Sequence, residues 1–181
     1  MKWKRKGKLI NEPILDYLEK LIDVEKEKGF RVSVAVGTDS QKRGKGYNFA
    51  TVILVVTDES LGFEKNGKEI FKGRGAMIIG ANFWEEMRAS TKAKMHREIE
   101  VLNQRMLLEV SKSIEVAYEI APLLDLYGIK FEIHADINPD PERGRSNSAL
   151  QEAVGYILGM GYDFKVKPDA AAASVAADKL C

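Results

Sequence analysis

What narrows the fold most is a change in how strand-like stretches are connected. Residues 31–39, 47–57 and about 68–80 read as strands, and only the turn-rich stretches Gln41–Gly46 and Glu59–Gly67 separate them. Gaps that short join antiparallel neighbours, so a three-stranded meander is expected. From Thr91 to about Leu126 the period changes. Ile99, Leu102, Met106, Val110, Ile114, Ala117 and Ala121 recur at steps of three and four, one face of a long helix that Gly128 stops. Beyond it, strands return only with helices between them.

Ile129–Ile137 reads as a strand and Pro139–Arg145 as a loop. Ser146 or Asn147 caps a helix through Ala149–Leu158, which ends at Gly159-Met160-Gly161. A short strand, Asp163–Lys167, precedes a last helix from about Asp169. At the other end, Asn11 is the expected cap of a first helix with Pro13 in its opening turn. Its stripe is Ile14, Leu15, Leu18, Leu21 and Ile22, and it ends near Gly29. Strands linked through helices pair in parallel by right-handed crossovers. The expected fold is therefore a mixed α/β sheet of five strands, three antiparallel and then two parallel, with helices on both faces. A basic N-terminal segment and extra helix, residues 1–30, are appended to a core of residues 31–181, and the whole is expected to be a single domain.

Composition removes several classes. The 181 residues are 45% apolar and 30% charged, as in a soluble globular protein. No apolar run is long enough to cross a bilayer, and the basic start from Lys2 to Lys8 lacks the apolar stretch of a secretory signal. A single cysteine, Cys181, excludes an internal disulfide framework and a cysteine-rich zinc site. The cytoplasm is the expected location. A net charge of +1 gives no global pull on nucleic acid. Yet five basic residues fall in the first ten, and Lys42-Arg43-Gly44-Lys45 forms a second cluster.

That second cluster follows Gly37-Thr38-Asp39-Ser40-Gln41, which brings a carboxylate to the end of the apolar run Val32–Val36. A buried ionised group must be paired, hydrogen-bonded or bound to a metal. Asp39 is either an Asx-turn residue or part of a site. Alternation places it on one side with Ser33, Ala35 and Gly37, small residues that let a helix approach. Asp136 stands at the corresponding end of the strand that begins at Ile129, and in open α/β sheets ligands bind at carboxyl ends of strands. Glu109 lies on the long helix with Arg105 and Ser113 one turn away on either side, and Asp178 lies on the closing helix behind a run of small residues. Asp169 competes with Asp178, although an N-cap role also explains it. His134 alternates onto the face of Asp136, and both it and His96 also read as incidental. Clustered carboxylates without cysteine favour Mg²⁺ or Mn²⁺. Two such ions, about 4 Å apart, suit phosphodiester hydrolysis.

In this order of elements, with Asp39 in Gly-Thr-Asp-Ser-Gln, Glu109 in Met106-Leu107-Leu108-Glu109, Asp136 in His134-Ala135-Asp136 and the closing Ala176-Ala177-Asp178-Lys179-Leu180, the chain resembles the ribonuclease H-like superfamily. More narrowly it is similar to the YkuK family of bacterial proteins, through the same segments with Gly159-Met160-Gly161-Tyr162 and Lys167-Pro168-Asp169-Ala170. The resemblance implies a metal-dependent nuclease whose catalytic and metal-binding acids are Asp39, Glu109, Asp136 and Asp178. Ser40, His134 and Asp169 are secondary candidates. The stretch before Glu109, about Phe83–Glu100, is longer than a compact ribonuclease H needs, so Glu98 and Glu100 compete with it. Lys42, Arg43, Lys45, Arg143 and Arg145 are the expected contacts to a nucleic-acid backbone. The alternative is a nucleic-acid-binding module of the same fold without turnover. An actin-like ATPase shares the core fold, but the chain is short for one and has no Walker-type loop.

Overall fold

The computed structural model describes residues 1–90, 94–135, 155, 157, 159, 162–166 and 169–181. The expected antiparallel meander is present as β3 (Arg31–Arg43), β4 (Gly46–Phe63) and β5 (Glu69–Glu86). β3 pairs antiparallel with β4, and β4 with β5. On its other edge β3 pairs in parallel with β6 (Lys130–Ala135), which pairs in parallel with β7 (Asp163–Lys165). All three meander strands outrun their sequence signal. Register shifts at Thr57/Asp58 and Ser60/Gly62 carry the β4–β5 ladder through a polar stretch where alternation breaks down.

Two strands are added to the expected five: β1 (Lys4–Arg5) and β2 (Lys8–Leu9), a small hairpin in the basic N-terminal segment. Among the described residues the sheet therefore has seven strands, in the order β2-β1-β5-β4-β3-β6-β7. Lys6 and Gly7 both take positive φ, 49° and 77°, as a two-residue hairpin turn requires. β1 then adds to the free edge of β5, with Lys4 opposite Gly80 and Arg5 opposite Ile79. Two-residue strands are too short for alternation to reveal.

The N-terminal helix, α1 (Ile14–Glu27), is also more than an appendage. Its Leu18 and Ile22 share one core with Trp3, with Val32, Val34 and Val36 of β3, and with Val116, Ile120 and Leu124 of the long helix α2 (Lys94–Leu126). Asn11 is not the cap. The cap position is Pro13, which has no side-chain capping bond and whose carbonyl accepts from the Tyr17 amide at 3.1 Å. Farther up α2, Met106, Val110, Ile114 and Ala117 pack with Ile133 and Ile157.

The opposite face of the sheet is covered by the closing segment. It is a wide π-type helix, Ala172–Ala177, followed by a 3₁₀ turn, Asp178–Leu180, where an ordinary helix from Asp169 was expected. Ala172, Ala176 and Ala177 pack on Ala35, Ala50 and Val52. The expected loop Pro139–Arg145 lies outside the described residues, as does most of the helix Ala149–Leu158.

Candidate active site

Among the described residues the last parallel pair between β3 and β6 is Thr38 with Ala135, and β3 continues paired with β4 to Arg43. Asp39 is the first residue past that pair. It does not end its strand, as the sequence suggested; it stands one residue past the last described pair with β6, near the carboxyl end of that strand, where ligands bind in open α/β sheets. Asp39 is 8% exposed.

Alternation sends its neighbours to opposite faces of the sheet. Ser40 turns toward α2, where its Oγ donates to Glu109 Oε1 at 2.5 Å. Arg105, one turn earlier, approaches the same oxygen at 3.3 Å. Ser113, one turn later, has its Oγ 3.0 Å from the Glu109 carbonyl and 2.9 Å from Thr38 Oγ1. The spacing of Arg105 and Ser113 around Glu109 was visible in the sequence; the attachment of Glu109 and Ser113 to β3 was not. Glu98 is exposed, and Glu100 accepts from the amide and hydroxyl of Ser90, at 3.0 and 2.8 Å. Both stand nine or more residues before Glu109, roughly 14 Å along the helix. Of the three helix acids, Glu109 is the one bonded to β3, through the residue after Asp39.

On the other face, Gln41 Nε2 donates to Asp178 Oδ1 at 2.7 Å, and Cys181 Sγ donates to the Asp39 carbonyl at 3.2 Å. Burial pushes the Cys181 thiol up to about 12, and the charges of Asp39, Glu109 and Asp178 add to the effect. Gln41 and Cys181 carried no signal as site residues; Gln41 read as the start of a turn.

His134 is buried on β6. Its Nδ1 accepts from the Ala172 amide at 3.1 Å, so the ring proton is on Nε2, which donates to Glu132 Oε2 at 3.1 Å. Burial lowers the His134 pKa, and Glu132 offsets part of that. The imidazole thus ties the closing helix to the sheet. Asp169 was the expected cap of this helix. Among the described residues the cap position is Ala171, with no side-chain capping bond, and Asp169 lines a cavity of about 480 Å³ with Arg31, Lys130, Glu132 and Lys165. Glu132 resists its own burial because Lys130, Lys165 and His134 all bond to it, and its pKa falls to about 2.

Lys42, Arg43 and Lys45 occupy the tip of the β3–β4 hairpin, three to six residues past Asp39. Arg43 NH2 reaches Gln41 Oε1 at 3.5 Å and the Cys181 carbonyl at 3.4 Å. Asp136, Arg143 and Arg145 lie outside the described residues. Among the described residues no three acidic, imidazole or thiol groups converge tightly enough to hold one metal ion. The carboxylate oxygens of Asp39, Glu109 and Asp178 are nonetheless the donor type that hard divalent cations select. No described helix is long and apolar enough to cross a membrane.

A family model described as "Ribonuclease H-like" matches residues 77–181, a span that takes in Glu109 and Asp178 but not Asp39. No curated protein and no solved structure matches the chain.

Proposed function

The chain belongs to the ribonuclease H-like family, and on that footing we propose that it is a metal-dependent nuclease acting on phosphodiester bonds, of the YkuK-like type. The observation that carries the proposal is that the two β3 residues following Asp39 each hold one of the expected acids: Ser40 donates to Glu109 Oε1 at 2.5 Å and Gln41 to Asp178 Oδ1 at 2.7 Å. Asp39 and Asp136 would hold Mg²⁺ or Mn²⁺, with Glu109 and Asp178 completing the shell. The bound ions would supply an activated water and stabilise the leaving oxygen. The protein's own part is positioning: Ser40 and Arg105 fix Glu109, and Gln41 fixes Asp178. Lys42, Arg43 and Lys45, with Arg143 and Arg145, would hold the phosphates.

The test is cleavage of RNA, DNA and a hybrid duplex in Mg²⁺ or Mn²⁺ by the wild-type chain and by Asp39→Asn. The substitution keeps the shape and removes a charge, so activity is expected to drop more than about 100-fold, beyond the effect of losing a metal ligand's supporting partner. No cleavage by the wild type, together with an unchanged metal-induced thermal shift in Asp39→Asn, would overturn the proposal. One contact favours a second reading. Cys181 sits directly against Asp39, a crowding that suits a nucleic-acid-binding module without turnover; salt-sensitive binding that survives Asp39→Asn would select it.

A further inference from the structure

We propose that Trp84 is a stacking platform for a base of single-stranded nucleic acid, on the sheet face that carries Asp39. It rests on the nucleic-acid reading above and narrows it to one strand. Trp84 stands opposite Asn48 on β4, and Asn48 opposite Gln41 on β3. Alternation therefore puts the indole on the same face as Asp39, Gln41 and Asn48. It lies two strands across and two residues along from Asp39, roughly 12 Å away by strand spacing.

The ring is held on one side and open on the other. A side-chain carbon at Gly46 would come within 2.6 and 2.8 Å of two indole carbons, so the bare Gly46 backbone is the seat on which the ring lies. Its Nε1–H donates to the Arg43 carbonyl at 3.4 Å. Even so, Trp84 is 51% exposed. A ring fixed in this way loses little freedom when a flat ligand settles on its outer side.

The surroundings have the charge such a ligand needs. Arg43 shares this face and stands opposite Gly46, Lys45 lies in the turn beside it, and Lys42 alternates to the other face; the nearby acid Glu86 is already bonded twice by Arg88, at 2.9 and 3.0 Å. Backbone cations beside an open aromatic face are how proteins hold unpaired strands with little regard to sequence. In a duplex each base is already stacked between its neighbours. Only a single strand presents a base face to Trp84.

The experiment uses the full chain, with Ca²⁺ as the divalent ion, and a fluorescein-labelled short oligothymidylate beside a duplex of the same length. The other tryptophan, Trp3, is 6% exposed, so an emission change on binding reports Trp84. The single strand is expected to quench that emission and to bind more tightly than the duplex. Trp84→Ala is expected to weaken single-strand binding about ten-fold or more while leaving duplex binding unchanged. Trp84→Phe keeps a ring and is expected to retain most of the affinity, which separates stacking from misfolding. Wild-type affinity in Trp84→Ala overturns the stacking site; if replacing Lys42, Arg43 and Lys45 by Ala then abolishes binding, the nucleic-acid reading stands without it. A wild-type chain that binds neither probe and cleaves nothing overturns both. A dimer that Trp84→Ala dissociates also overturns the stacking site, since the ring would then be covered by a second copy.

Discussion

On one face of the sheet, Val32, Val34 and Val36 meet α1 and α2 through Leu18, Ile22, Val116, Ile120 and Leu124. On the other, Ala35 and Ala50 meet the alanines of the closing helix. Large aliphatic side chains bury the most apolar area, and burial is the main source of stability. Alanines bury little but let backbones approach, and that approach carries Asp178 and Cys181 to within reach of β3. The first face holds the fold together; the second brings chemical groups close to one another. Asp39 and Ser40, adjacent in sequence, point one to each side, so the candidate site straddles the boundary between the two.

The largest effect is expected on the first face. Leu18 is fully buried, so Leu18→Ala is expected to destabilise the chain by about 2–5 kcal/mol in urea unfolding. A loss well below that range would mean that α1 is an appendage after all. On the second face the danger is excess volume. Ala176→Leu adds three carbons between the closing helix and the sheet, and is expected to cost about 1–3 kcal/mol. The comparison predicts a second difference as well: Ala176→Leu lifts Asp178 away from Gln41 and lowers cleavage or binding in the folded protein, whereas Leu18→Ala leaves function intact in the molecules that remain folded. If both variants lose function in proportion to stability alone, the division between the faces fails.

The parts of this arrangement that were legible in the sequence are those with a long period or a hard stop. The three strands of the meander, the stripe on α2 and its end at Gly128, where φ is 61°, all followed from residue pattern. The N-terminal hairpin did not, because two residues are too few to alternate. Glu109 drew notice with Arg105 and Ser113 at helical spacing, yet what separates it from Glu98 and Glu100 is the bond from Ser40, a contact 69 residues away in sequence. Gln41 looked like a turn residue because the strand was expected to end at Asp39; in fact it continues to Arg43. His134 read as incidental or as a site neighbour, and its actual work is to accept a backbone amide, a task that leaves no mark in sequence. Trp84 is one aromatic residue among fifteen, and its open face depends on a glycine 38 positions earlier.

The smallest expected effect distinguishes the two ends of the closing-helix face. Near Asp39 burial raises the Cys181 thiol and nearby carboxylates add to it; at the cavity end Glu132 is surrounded by Lys130, Lys165 and His134 and its pKa is lowered to about 2. An acid whose pKa is lower folded than unfolded adds stability that is complete above the unfolded value, about 4.5, and is lost as pH falls toward the folded one. Between about pH 4.5 and 2, therefore, the folded chain is expected to lose thermal stability in part through protonation of this one group. Glu132→Gln removes the titration, so its melting temperature is expected to fall less steeply across that window than the wild type's, whatever its value at neutral pH. The lysines left behind, at positions 130 and 165, are exposed enough to be solvated, and the substitution alone is expected to be mild at pH 7. An equally steep fall in Glu132→Gln would assign the acid sensitivity to other carboxylates, and the two ends of this face would then differ less than their bonding suggests.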